Sequence, residues 1–244
     1  INNIDSITHL IRNLYAVFYY PHQTDTDRPM LAYLKGNKFA LAIDAGNSAM
    51  HVDEFYGALE AAGLRKPDFT IITHWHWDHT FGMHHIGGTS IAHRKTNELL
   101  RQEKNKPSDG AYVDFLKEDD PCFGREYAGD KEIIVVSSDM EFADELILDL
   151  GGITAIMYHA VSPHSEDTVL IHTPEEKVLF LGDATSEDFF NNGYMDRDKL
   201  NTLINEIEKT DCQYCVLSHT EPLTKQDLLN YLYTISNAHG GVYE

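Results

Sequence analysis

Six consecutive residues, His74-Trp75-His76-Trp77-Asp78-His79, constrain this chain more than any other feature, because they stand directly behind a buried-strand pattern at residues 68–73 (Asp-Phe-Thr-Ile-Ile-Thr). His76, Asp78 and His79 lie at offsets of 2, 4 and 5 from His74, whereas ligands on one helical stripe recur at 3 and 4. A tight turn after the strand therefore has to present them. His74 and His76, two apart, project to the same side of an extended segment; Asp78 and His79 fall beyond a bend, close enough to serve a second cation. Imidazole and carboxylate clustered at a strand end are the donors of a metal site. The bland alternative is a histidine-rich surface loop, and 14 histidines against 19 Lys plus Arg keep it in view.

The rest of the chain reads as a frame for such a turn. Residues 7–20 are rich in β-branched and aromatic side chains and stop at Pro21, which suggests a strand pair. Residues 39–44 are a short apolar run closed by Ala45-Gly46, a buried strand. Residues 48–62 then place Met50, Val52, Phe55, Leu59 and Ala62 near helical spacing, with Gly63 as a stop. Downstream, residues 151–159, 168–172 and 177–181 read as successive strands, 199–207 as an amphipathic helix, 214–217 as a strand and 225–237 as a closing helix. Strands and helices alternate in both halves, and residues 1–244 are expected to form one domain. Residues 94–130 differ: Lys, Glu and Asp dominate, Pro107 and Pro121 interrupt, and only 97–102 reads as helical. This stretch is expected to be an inserted cover segment over one face.

A hydrophobic fraction of 42% supplies a core, while a formal net charge of -20 repels phosphate backbones and anionic lipid. Neither nucleic acid nor membrane is an expected partner; a small-molecule substrate is. No apolar run approaches the about 20 residues needed to cross a bilayer. Residues 1–5 (Ile-Asn-Asn-Ile-Asp) show neither the basic nor the apolar region of a secretory leader. The three cysteines, Cys122, Cys212 and Cys215, are odd in number and too few for a disulfide framework, so a reducing, cytoplasmic location is expected. Cys212 and Cys215 form a lone C-x-x-C in a buried-strand pattern, with no second pair to complete a zinc site, and read as core residues.

The histidine cluster resembles the signature of the metallo-β-lactamase superfamily, whose further ligands are a histidine, a Gly-Asp pair and a last histidine. The chain has counterparts in that order: Ser162-Pro-His164-Ser-Glu-Asp-Thr168, Leu181-Gly-Asp183-Ala and Val216-Leu-Ser-His219. The similarity runs over residues 39–219 apart from the acidic insertion. It implies an α/β fold, an αβ/βα four-layer sandwich with the site at the edge of two sheets. It also implies two divalent metal ions, zinc first, with iron or manganese as alternatives. By the resemblance His74, His76 and His164 would hold the first ion, Asp78, His79 and His219 the second, and Asp183 would bridge them. Ions roughly 3.5 to 4 Å apart yield a metal-bridging hydroxide near neutral pH, which gives Asp78 and Asp183 their expected part in catalysis. His159 competes with His164 but lacks the following Ser-Glu-Asp-Thr turn. His84 and His85 are expected outside the ligand set, and His51, His93, His172 and His239 in ordinary roles. Trp75 and Trp77 either shield the ions or pack the loop. Asp44 stands where the family often has a carboxylate that orients a ligand histidine.

The implied function is a dinuclear-metal hydrolase cleaving an ester, thioester, lactone or amide-type bond of a small molecule. β-Lactamases of the commonest subclass have cysteine where Asp183 stands and a basic residue soon after, whereas this chain continues Ala184-Thr-Ser-Glu-Asp188. Glyoxalase II and the acyl-homoserine lactonases share the all-His/Asp ligand set, although Ser186 stands where the lactonases' tyrosine is sought. A phosphodiesterase of the same superfamily and a non-catalytic metal-binding module are the alternatives. Diiron oxidoreductase relatives usually carry a carboxylate where His76 stands.

Overall fold

Apolar residues on both faces of short strands give this chain its layers, because a sheet covered on two sides has no solvent face to leave polar. The computed structural model describes residues 8–11, 14–17, 28–129 and 131–237, with side chains from residue 28 onward, Ser108 excepted. Residues 1–5, part of the 7–20 strand-pair reading, and His239 lie outside the described residues. One sheet runs in the order β1 (Thr8–Ile11), β2 (Leu14–Val17), β3 (Leu31–Lys35), β4 (Ala40–Ile43), β5 (Phe69–Ile71), β6 (Thr89–His93), β7 (Met140–Phe142). Its pairs are antiparallel as far as β4 and parallel from β4 to β7. The second sheet orders β8 (Glu145–Asp149), β9 (Thr154–His159), β10 (Val169–Thr173), β11 (Val178–Gly182), β12 (Tyr214–Leu217) and β13 (Leu223–Thr224) side by side. Only β11 and β12 are parallel within it.

Leu41, Ile43, Ile71 and Ile91 of the first sheet meet Val169, Ile171, Val178 and Phe180 of the second in the central core. The alternate residues turn outward. Leu31, Tyr33, Ala40 and Ala42 pack beneath α1 (Ala49–Ala61) through Val52, Phe55 and Leu59. Leu170, Leu179 and Leu181 pack beneath α6 (Arg197–Lys209) and α7 (Lys225–Asn237) through Leu200, Leu203, Leu228 and Leu232. The result is the expected αβ/βα four-layer sandwich. Ser48 caps α1 by accepting from the His51 N–H, and Asp196 caps α6 by accepting from Asp198 and Lys199. Cys212 and Cys215 are free and buried against the α6 and α7 layer. Among the described residues no helix is long and apolar enough to cross a membrane.

Residues 94–130 correct the sequence reading, which placed a helix only at 97–102. They form α3 (Arg94–Glu103), α4 (Gly110–Asp119) and α5 (Pro121–Glu126). The physical reason is that the breakers are starters: Pro121 occupies the first turn of α5, where its missing N–H costs nothing, and Asp109 and Asp120 cap α4 and α5. Phe123 of α5 is buried with Ile72, Phe81, Leu100 and Tyr127, and its ring meets Trp77 edge-on at 5.0 Å. Buried Glu126 accepts from Arg28 Nη2, which is shared between its two carboxylate oxygens at 3.1 and 3.2 Å, and from the Ser48 hydroxyl. These contacts fasten the helices behind the histidine turn.

Phe123→Ala should lower the unfolding free energy by about 3–5 kcal/mol, since its cavity lies between elements that cannot collapse together. Urea titration followed by circular dichroism measures the loss.

Candidate metal centre

Parallel strands deliver their carboxyl ends to the same edge of a sheet, and here both sheets do so on the same side of the molecule. His74 and His76 follow β5. Asp78 and His79 sit on α2 (Trp77–Thr80), the tight turn that the ligand spacing demanded. The Thr80 hydroxyl closes that turn by donating to the Trp75 and His76 carbonyls at 3.0 and 2.9 Å. His164 lies on the β9–β10 connection, where its N–H donates to Ser162 Oγ at 3.0 Å and that hydroxyl donates to the Ala184 carbonyl at 2.8 Å. Asp183 and His219 follow β11 and β12. Gly182 makes the bend before Asp183: its φ is +55, and a Cβ there would stand 2.9 Å from Thr73.

All seven sequence-predicted site residues come together as two adjacent groups. In the first, His164 Nε2 stands 3.0 Å from His76 Nδ1 and 3.3 Å from His74 Nε2. In the second, His79 Nε2 and His219 Nε2 each lie 3.3 Å from Asp183 Oδ2, and 3.0 and 3.1 Å from Asp78 Oδ2. Asp183 Oδ2 is also 3.9 Å from His164 Nε2, so this one oxygen faces both groups. Bonds of about 2.0–2.1 Å from a tetrahedral cation set donors about 3.3 Å apart, so the nitrogen separations fit the edges of a coordination shell.

The far side of each imidazole fixes which nitrogen offers its lone pair. His79 Nδ1–H donates to Asp44 Oδ2 at 2.8 Å, His164 Nδ1–H to the Glu187 carbonyl at 2.7 Å, and His74 Nδ1–H to Thr73 Oγ1 at 3.1 Å. Thr73 in turn donates its backbone N–H and its hydroxyl to Asp44, at 2.7 and 2.9 Å. In the neutral ring the lone pair is thereby left on Nε2, which aims inward. Asp44 reaches this position through a left-handed backbone, φ +64, which aspartate tolerates better than most residues.

Burial pulls His76 down to about 3 and lowers His74 and His164 as well, keeping the first group neutral. In the second group burial again opposes charge, but Asp78, Asp183 and Asp44 outweigh it and hold His79 well above the imidazole range; Asp183 and Asp78 do the same to His219. Burial also works against the charge on Asp78 and Asp183, yet the facing imidazoles keep both well below the carboxylate range. Three buried carboxylates thus demand positive charge. The raised proton affinity of His79 and His219 answers that demand, and divalent cations bound there would meet it in place of protons.

His159, His93, His84 and His85 lie outside both groups. His159 stacks on His93 at 4.7 Å and donates to the Glu166 carbonyl; His84 donates to the Phe81 carbonyl; His85 pairs with Asp53. Trp77 packs the turn against Phe123, whereas Trp75 stands edge-on to His76 at 5.1 Å and carries Phe190 on its face. Phe189 and Phe190 were missed from sequence. Their signal was a Phe pair set in the polar turn Glu187-Asp188 to Asn191-Asn192-Gly193, just after Asp183.

A family model described as the metallo-beta-lactamase superfamily matches residues 28–205. No curated protein sequence matches the chain. Among solved structures, a double mutant of the sec-alkyl sulfatase PisA1 aligns with TM-score 0.70 at 16% identity, covering 97% of this chain and 42% of the sulfatase. A metallo-beta-lactamase from Pontibacter korlensis aligns with TM-score 0.65 at 17% identity over 96% of this chain and 99% of its own. The DIM-1 metallo-beta-lactamase gives 0.65 at 17% over 94% and 95%. At such identities the shared property is the fold.

Asp44→Asn should weaken cation binding about 10–100-fold by freeing the His79 and Thr73 contacts, read by competition with a chelating indicator. A separate expectation concerns Asp167, fully buried beside the Ser165 hydroxyl at 2.5 Å and pushed by burial up to about 6. Its folded form binds the proton more tightly than the unfolded chain does, so its stabilising contribution is present at low pH and lost as pH rises through about 6. Asp167→Asn should match the parent near pH 4 and exceed its stability at pH 7, by urea titration at each pH.

Proposed function

The chain belongs to the metallo-beta-lactamase superfamily, and from that premise we propose that it is a dinuclear-metal hydrolase acting on the ester, thioester, lactone or amide-type bond of a small molecule. The observation that carries the reading is Asp183 Oδ2, which faces His79 and His219 at 3.3 Å and His164 at 3.9 Å. An oxygen in that position would be within reach of a cation held by either group. Its neighbours divide into three neutral imidazoles on one side and two imidazoles with a carboxylate on the other.

Zinc suits these nitrogen and oxygen donors, iron and manganese being the competing occupants. Cations held there by His74, His76 and His164 and by Asp78, His79, Asp183 and His219 would supply Lewis acidity that lowers the pKa of a water and polarises a scissile carbonyl. The protein's own part is preorganisation. Asp44, Thr73 and the Glu187 carbonyl hold the imidazole rings so that no reorientation accompanies the reaction. Asp78 and Asp183 keep their negative charge in a buried setting, which makes the centre selective for divalent cations. His219 is the ligand side chain open to solvent, at 34% exposure, and marks the side from which substrate arrives. The formal charge of -20 favours a small substrate over a polynucleotide.

A panel of p-nitrophenyl esters, thioesters, lactones and bis(p-nitrophenyl) phosphate tests the reading on zinc-loaded protein. Acyl turnover is expected, abolished by chelation and restored by metal. Asp183→Ala should reduce it by about a thousandfold with an unchanged circular dichroism spectrum. Turnover of the phosphodiester alone, or full metal loading without turnover, would overturn it.

A further inference from the structure

Two exposed phenylalanines flank the metal-binding histidines, and the chemistry proposed above makes no use of them. Phe189 and Phe190 are 65% and 68% exposed. The Phe190 ring lies 4.9 Å from Trp75 and 5.0 Å from His76, and Phe189 stands edge-on to His164 at 5.6 Å. Together with Trp75 they form an aromatic wall reaching from one ligand to the next.

The turn that carries this wall is built rather than slack. Asp188 accepts from the Phe190 N–H at 3.1 Å, and its carbonyl accepts from Asn191 and Gly193, each at 3.0 Å. Asn192 and Gly193 take the left-handed conformation, at φ 54 and 68, and return the chain so that Asp188 bridges to Tyr194. The preceding residue, Glu187, gives its carbonyl to His164 Nδ1–H at 2.7 Å. The aromatic turn is therefore tied to a ligand, and its distance from the reacting centre is fixed.

Charge completes the description of what can lie against this wall. Between Asp183 and Asp196 the chain has no Lys or Arg, while Glu187 and Asp188 are acidic. An anionic group placed there meets like charge and no cationic side chain of this turn. An apolar group removes ring surface from water at about 25 cal/mol per Å². We infer that Phe189, Phe190 and Trp75 bind the uncharged alkyl or aryl acyl portion of the substrate, which makes the enzyme selective for neutral, apolar acyl compounds. This inference rests on the hydrolase reading and extends it to a substrate class.

Two measurements separate the inference from its premise. In the first, kcat/KM for p-nitrophenyl octanoate should exceed that for the acetate by about tenfold or more, and a carboxylate-terminated acyl ester of similar length should fall below the acetate. Phe189→Ala and Phe190→Ala should each reduce the octanoate-to-acetate ratio by about threefold, chiefly through KM. Phe115→Ala, which removes another exposed phenylalanine, on α4, should leave that ratio unchanged. In the second, 2-nonanone, a ketone with the octanoyl chain and no leaving group, serves as an uncleaved probe and should shift tryptophan emission in the parent and not in Phe190→Ala. Ester turnover with a flat chain-length profile and no emission shift overturns the aromatic wall and leaves the hydrolase standing. An emission shift lost in Phe190→Ala, without turnover of any acyl compound, overturns the hydrolase and leaves the wall as an apolar binding site.

Discussion

One imidazole faces three buried carboxylates, and the architecture around the centre follows from satisfying that arrangement. His79 meets Asp44 at 2.8 Å through one ring nitrogen, and Asp78 and Asp183 at 3.0 and 3.3 Å through the other. Carboxylates out of water are costly unless positive charge and hydrogen bonds compensate them. The chain answers with five imidazoles at the inner face and with the Thr73 N–H and hydroxyl behind Asp44. A pair of divalent cations is the compensation that this donor geometry suits best.

The sandwich makes such a concentration of charge affordable by drawing the ligands from separate strand ends. β5 supplies two histidines, and the turn after it a carboxylate and a third histidine. The second sheet supplies His164, Asp183 and His219 from three different connections. β11 is buried on both faces and Ile71 of β5 lies in the central core, so these polar strand ends are anchored by packing they do not share. The helices of residues 94–130 reinforce one side, where Phe123 supports Trp77 and Glu126 ties Arg28 to Ser48. The turn at Phe189 reinforces the other through the Glu187 carbonyl.

Much of this was legible in the sequence because it is local. The offsets from His74 to His79 excluded a helical stripe and required a turn, and α2 is that turn. The Gly182-Asp183 and Ser218-His219 pairs ended apolar runs that became β11 and β12. What was not legible depends on partners distant in sequence or on weak patterns. The contact of Asp44 with His79 spans 35 positions and a left-handed backbone, so only the family resemblance pointed to it. The polarity of residues 110–119 hid α4, which buries no side chain completely. β8 alternates poorly, because Ile147 lies on its exposed face. The direction faced by Phe189 and Phe190 is set by a bond from His164 to Glu187 that no local pattern reveals.

Anomalous diffraction from crystals of the metal-loaded protein tests the central claim most directly. Two peaks per chain are expected, one among His74, His76 and His164 and one among Asp78, His79 and His219, with Asp183 between them. A single peak, or peaks away from Asp183, would contradict the account.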